Sequence, residues 1–112
     1  MDQTARVIED YESAYPEPLR LNKSDRVRVE ERECEWPGWL WATDNSGRSG
    51  WIPATYLSVE YDAGELLRDY DAAELDARAG EVVQILERES GWARCRKTDG
   101  SVGWLPEGVL AI

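Results

Sequence analysis

The sequence predicts an all-β protein made of two small five-stranded barrels in tandem, and three observations carry that prediction. The first is an internal repeat. Trp39, Gly47, Gly50, Trp51, Pro53 and Leu57 return as Trp92, Gly100, Gly103, Trp104, Pro106 and Leu110, each pair 53 positions apart. Six identities in one register, with two tryptophans and a proline among them, mark two copies of one folding unit. The second is patterning. Arg26-Val27-Arg28-Val29-Glu30 alternates charge with valine, as a half-buried strand does, and no segment has a convincing helical period. The third is where the copies differ in length. Tyr11 to Leu19 takes eight steps and Tyr70 to Leu75 five, while Val29 to Trp39 takes ten and Ile85 to Trp92 seven. Both differences fall in loops, where changes of length leave a strand scaffold intact.

Taken in order, Arg6 to Tyr11 is a short strand with a polar exit. Glu12 to Pro18 is a loop, because Pro16 and Pro18 exclude a regular strand or helix interior. Leu19-Arg20-Leu21 alternates, Asn22-Lys23-Ser24-Asp25 is a turn cluster, and the strand Arg26–Glu30 follows. Glu31 to Gly38 is an acidic loop carrying Trp36-Pro37. A hairpin comes next, in which Asn45-Ser46-Gly47 turns the chain between the apolar-rich runs at Trp39 and Trp51. A single 3₁₀ turn is expected at Pro53–Tyr56, with a counterpart near Pro106. The second copy keeps this order, Leu66–Tyr70 standing for Val7–Tyr11. Its Ala72–Ala79 stretch is helix-friendly in composition, so one helical turn there is an alternative. The expected domains are 1–59 and 66–112, the second with shortened loops, joined by a linker at 60–65. Six residues reach at most ~20 Å, so the halves are expected to be neighbours, with Tyr61 a candidate for burial between them.

Composition sets the limits. Among 112 residues, 23 acids face 13 bases, and the net charge of −10 argues against nucleic acid or an anionic membrane as partner. A unit of this size buries only about 60% of its unfolded-state surface, so packing between the halves, or an oligomer, is consistent with the sequence. No apolar run approaches the ~20 residues of a membrane span, and Met1 to Arg6 lacks the regions of a signal peptide. Cys34 and Cys95 are isolated at unmatched positions, which reads as two ordinary thiols in a reducing, cytoplasmic setting. Histidine is absent, which removes the commonest general base and metal ligand. Neither cysteine has a partner at ligand spacing, no glycine-rich phosphate loop occurs, and Ser101-Val102-Gly103 has no triad companion. No enzyme activity, cofactor or metal is expected.

The order of motifs resembles the Src-homology-3 (SH3) domain family, twice, in a divergent form. Val7–Tyr11 and Leu66–Tyr70 stand where that family has an Ala-Leu-Tyr-Asp-Tyr-like strand. Leu19 with Asn22–Asp25, and Leu75 with Arg78–Glu81, stand at its leucine and following turn. The tryptophan, the Gly-aromatic-aliphatic-Pro segment and the short turn after it complete the pattern. The likeness covers Arg6–Val59 and Leu66–Ile112 and implies small antiparallel barrels.

It also implies a function. Family members bind extended proline-rich peptides across an aromatic groove, a chemistry that suits the task. A polyproline II peptide is already extended, and flat rings pack against proline rings. Carried over by position, the implied peptide-binding residues of the first copy are Tyr11, Trp39, Pro53 and Tyr56, with Trp51 supporting. Glu9 replaces a tyrosine, and the loop acid falls on Pro18, with Glu17 adjacent. The resemblance puts Ala42 in the core, so Trp39 and Trp41 point outward. The second copy keeps Tyr70, Glu74, Trp92 and Pro106, but Arg68 and Val109 stand where rings are wanted. Aromatic burial concentrates such binding energy. The first copy is therefore expected to bind and the second to serve as scaffold, so that Trp39→Ala abolishes binding and Trp92→Ala spares it.

Blander readings stand beside these. Trp39 could be core, Trp36 could cover a loop base, Tyr15 could be a loop-tip contact, and Arg26 and Arg28 are plainly solvated strand positions. Acids at Glu12, Glu31, Glu33 and Glu35 serve solubility or attract a basic peptide. Two functions from different classes remain. One is an adaptor binding a proline-rich or basic extended peptide. The other is an assembly module whose aromatic surfaces bury between domains, in a homo-oligomer or on another folded protein.

Overall fold

The computed structural model describes residues 3–13, 18–32 and 37–111. Their regular structure is strand, with two single 3₁₀ turns at Ala54–Tyr56 and Glu107–Val109, following Pro53 and Pro106 as expected. Twelve strands are numbered in chain order. They are β1 Gln3–Val7, β2 Arg20–Leu21, β3 Arg26–Glu30, β4 Trp39–Thr43, β5 Ser49–Pro53 and β6 Leu57–Glu60, then β7 Ala63–Leu66, β8 Tyr70–Asp71, β9 Val82–Glu89, β10 Trp92–Arg96, β11 Val102–Pro106 and β12 Leu110–Ala111. No helix among the described residues is long and apolar enough to cross a membrane.

The chain forms two compact units, and their composition is unlike the repeat. One unit is Pro18–Ala72; the other joins Met1–Glu17 to Ala73–Ile112. The continuous unit holds a five-stranded antiparallel sheet in the order β5-β4-β3-β7-β6, with a short ladder between β2 and β8. Alternation in β3 turns Val27 and Val29 inward, where they join Leu19, Ile52, Leu57 and Leu66. The two-part unit holds its own five-stranded sheet in the order β11-β10-β9-β1-β12. Its core is Ala5, Val7, Leu75, Ala77, Val83, Ile85, Ala93, Cys95, Leu105, Val109 and Leu110.

Each unit thus draws strands from both copies of the repeat. From the first copy, β1 pairs with β9 and β12 of the second, through Ala5 opposite Val83 and Val7 opposite Leu110. In return β7, which runs from the expected linker into the start of the second copy, pairs with β3 and β6 of the first, through Gly64 opposite Val27 and Leu66 opposite Leu57, and β8 of the second copy pairs with β2. The boundaries 1–59 and 66–112 trace the repeat, whereas the units divide the chain at 17/18 and 72/73.

Two local expectations give way. The stretch 60–65 is part of a tight hairpin, Glu60 ending β6 and Ala63 opening β7 with the turn at Tyr61-Asp62. Tyr61 at its tip is 94% exposed, not buried. The pairing of Leu57 with Leu66 draws the strands together and leaves the tip residue pointing to water. Ala72–Ala79 makes no helical turn. It is extended, with Tyr11 bridged to Ala77 and Glu74 to Trp104, because Leu75 and Ala77 are buried at a spacing of two.

Glycine matters most at two kinds of place. Gly47 and Gly100, equivalent in the repeat, close the β4–β5 and β10–β11 turns with φ of 89° and 91°, which side chains rarely adopt. At Gly103 the need is room: a Cβ would lie 2.8 Å from the Ala73 carbonyl oxygen.

Candidate functional site

The expected site residues regroup along the boundaries of the units. Tyr11 comes from the first copy, yet it stands in the two-part unit with Trp92, Pro106 and Glu74 of the second. Its backbone is held on both sides by Ala77, the Tyr11 N–H donating to the Ala77 carbonyl at 2.8 Å and the Tyr11 carbonyl accepting from the Ala77 N–H at 2.9 Å. That clamp aims the ring at Trp92, edge to face, with centroids 6.0 Å apart and planes at 81°. The Tyr11 hydroxyl donates to Oε1 of Glu74 at 2.7 Å. Glu74 is itself placed by backbone bonds on either side, from Trp104 N–H to the Ala73 carbonyl and from Leu75 N–H to the Trp104 carbonyl. Trp92 opens β10 opposite the buried Pro106 on β11. A half-buried aromatic pair, a proline and a carboxylate therefore meet at one place. Val109, where the family pattern asks for a tyrosine, is buried in this unit's core.

The other residues gather in the continuous unit. Trp39 on β4 lies opposite Pro53 on β5, and Trp41 opposite Trp51. The Trp41 and Trp51 rings meet edge to face at 5.2 Å, and the Arg32 guanidinium sits 4.5 Å over Trp41. Ala42 is fully buried, as the resemblance implied, while Trp39 and Trp41 on the other face of β4 are half-buried. Tyr56 and Tyr70 are 3% and 4% exposed and pack edge to face at 5.1 Å. The Tyr70 hydroxyl donates to the Trp51 carbonyl at 2.8 Å. Arg68 lies over the Tyr56 ring, guanidinium 4.3 Å from its centroid. The residue read as a lost groove tyrosine is thus a cation resting on a tyrosine of the other copy. The sequence offered no signal for Arg32, which lies in a loop, nor for the partner of Arg68. Glu17, with Tyr15, Glu33, Cys34, Glu35 and Trp36, lies outside the described residues.

Elsewhere the chemistry is quiet. Among the described residues no group of three or more histidines, cysteines, aspartates or glutamates could hold a metal ion. Cys95 is a free thiol buried in the core, and burial pushes its pKa up to about 11, so it is not a nucleophile near neutral pH.

Comparison with known proteins follows the repeat, not the division at 17/18 and 72/73. Residues 4–60 match the variant SH3 domain family and residues 68–107 the SH3 domain family. The chain belongs to the SH3 domain family and carries two such domains in tandem. A relative is the SH2/SH3 adapter protein dreadlocks of Drosophila melanogaster, 25% identical over 129 aligned residues. The alignment covers 96% of this chain and 23% of the relative, so the chain spans about a quarter of that protein's length. No solved structure gives a significant match. SH3 domains are non-enzymatic protein-interaction modules, and as a class they take proline-rich protein segments.

Proposed function

We propose that the chain binds an extended, proline-rich and basic peptide at the Tyr11–Trp92 pair of the two-part unit. The observation that carries this reading is the pairing of those rings at 6.0 Å with the Glu74 carboxylate held by the Tyr11 hydroxyl at 2.7 Å. Rings of this kind present flat apolar walls to proline, and an adjacent carboxylate favours a ligand arginine or lysine. In the continuous unit the two tyrosines are withdrawn, since Tyr56 and Tyr70 are buried and Arg68 lies over Tyr56, which leaves the half-buried Trp39, Trp41 and Trp51 without an exposed tyrosine beside them. A net charge of −10 steers a basic partner toward the chain. A cytoplasmic setting belongs to the same proposal, supported by the likeness to an adapter protein.

The test is titration of an arginine-containing proline-rich peptide, followed by tryptophan fluorescence, on folded variants. Removing a central interface tryptophan commonly costs about 2 kcal/mol, roughly a thirtyfold loss. Trp92→Ala should lose at least that, and Trp39→Ala should bind nearly as the parent does. The reverse result would assign binding to the Trp39, Trp41, Trp51, Pro53, Tyr56 and Tyr70 surface instead. No binding from any peptide of a proline-rich library would favour the assembly reading, in which these aromatic surfaces meet a folded protein.

A further inference from the structure

The two copies could have folded one after the other, each keeping its own first strand, and the pairing rules for a strand permit both arrangements. Counting from the shared register, β1 and β7 are equivalents, Ala5 standing where Gly64 stands and Val7 where Leu66 stands. Their receiving slots are near copies too. Val27, Val29 and Leu57 line the slot of β7, and Val83, Ile85 and Leu110 take the same register positions around β1. The slots differ in room. A Cβ added at Gly64 would meet Val29 Cγ1 at 3.1 Å and Leu57 Cδ2 and Val27 Cγ2 at 3.4 Å, tight enough that neighbours must shift. The equivalent site in the other slot holds the methyl of Ala5, 5% exposed and packed in the core. The slots also differ in backbone. Between β9 and β10 the register shifts at Arg94/Cys95, which leaves Leu86 as an extra residue beside Ile85, whereas β3 and β4 pair without a shift.

We infer that the Ala5/Gly64 pair decides which first strand enters which unit, and so which aromatic residues build each candidate site. In the observed arrangement alanine fills the roomy slot and glycine the tight one. In the sequential arrangement Ala5 would be forced against Val29, and Gly64 would leave a methyl-sized void among Val83, Ile85 and Leu110. One overpacked slot and one underpacked slot act in the same direction. Tyr11 follows β1 and Tyr70 follows β7, so this single size match puts Tyr11 beside Trp92 and Tyr70 beside Tyr56. The inference goes beyond peptide binding and holds whether or not a peptide binds.

Cysteine cross-links read the arrangement directly in the full chain, with Cys34→Ser and Cys95→Ala as background. Thr4 lies opposite Gln84 in the observed register. In the sequential arrangement it would lie opposite Arg28, which now faces Ala63, the equivalent of Thr4. Thr4→Cys is therefore combined with both Gln84→Cys and Arg28→Cys, and the protein is refolded from denaturant before oxidation. Peptide mass spectrometry then gives the ratio of the two disulfides. The parent should give the 4–84 link. Swapping the two residues, Ala5→Gly with Gly64→Ala, keeps the composition and should move the ratio toward the 4–28 link by at least about tenfold. A parent that gives the 4–28 link, or neither link, overturns the inference, as does a swapped variant whose ratio is unmoved.

Discussion

Asp44 shows how much of this small fold is fixed by single side chains. Its Oδ1 accepts from the Ser46 and Arg48 amides, each at 2.9 Å, and from the Ser46 hydroxyl at 2.7 Å, which closes the β4–β5 turn. Partial burial pushes its carboxyl up, but those three hydrogen bonds outweigh it and the pKa falls below the usual 3.8. The Ser101 amide lowers Asp99 and the Ala79 amide lowers Asp10 in the same direction. A carboxyl lowered by folding contributes stability that is full above 3.8 and fades as the pH drops through its folded value. Asp44→Asn keeps the Oδ1 acceptor and removes only a solvent-screened charge, so it should lower the melting temperature at pH 7 slightly, by an amount corresponding to about 0.5 kcal/mol. The gap to the parent should close as the solution is acidified below 3.8; a gap independent of pH would mean the ionised carboxylate is not what the turn holds. Glycine gives a second contrast. Gly103→Ala drives a Cβ to 2.8 Å from a backbone oxygen and should cost about 1–3 kcal/mol in denaturant unfolding. Gly108→Ala meets nothing within 4 Å and should be nearly neutral.

Among the elements, the β6–β7 hairpin carries a visible compromise. Tyr61 holds a left-handed φ of 58° with its ring 94% in water, so the residue bears conformational cost without packing in return. Tyr61→Gly should stabilise the hairpin by up to about 1 kcal/mol, read as a shift of the urea midpoint with an unchanged slope. This hairpin also marks the limit of what the sequence discloses. The strands themselves were legible, because alternation in β3 and the turn signals at Asn45-Ser46-Gly47 are local. The aromatic residues of the candidate site were legible one by one through the repeat. Their grouping was not. Ala5 and Gly64 sit at the same phase of the same alternation, so periodicity places either strand equally well in either slot. What separates them is a few tenths of an ångström around Val29, a property of the assembled slot rather than of any segment. Arg68 was hidden for the same reason, since the Tyr56 it covers belongs to the other copy.

For the molecule as a whole, one unit is a continuous stretch and the other is not. A fragment 18–72 contains all of β2–β8 and should unfold cooperatively by itself, whereas a fragment 1–59 lacks β7 and must seat Ala5 in the place of Gly64. The first fragment should be the more stable in urea; equal or reversed midpoints would show that the repeat, not the compact unit, is what folds. The same layout has a mechanical meaning. The β1 and β12 strands run antiparallel, with Arg6 opposite Ala111. Tension applied at the two ends of the described chain therefore peels this pair apart one bond at a time instead of shearing all bonds together. The two crossings of the continuous unit are likewise side by side, the Ala72 amide donating to the Leu19 carbonyl at 2.9 Å. That unit bears no load until the two-part unit has opened. Under a steady pull the chain should yield in two steps of fixed order, with the first opening at low force and acting as a fuse for the second.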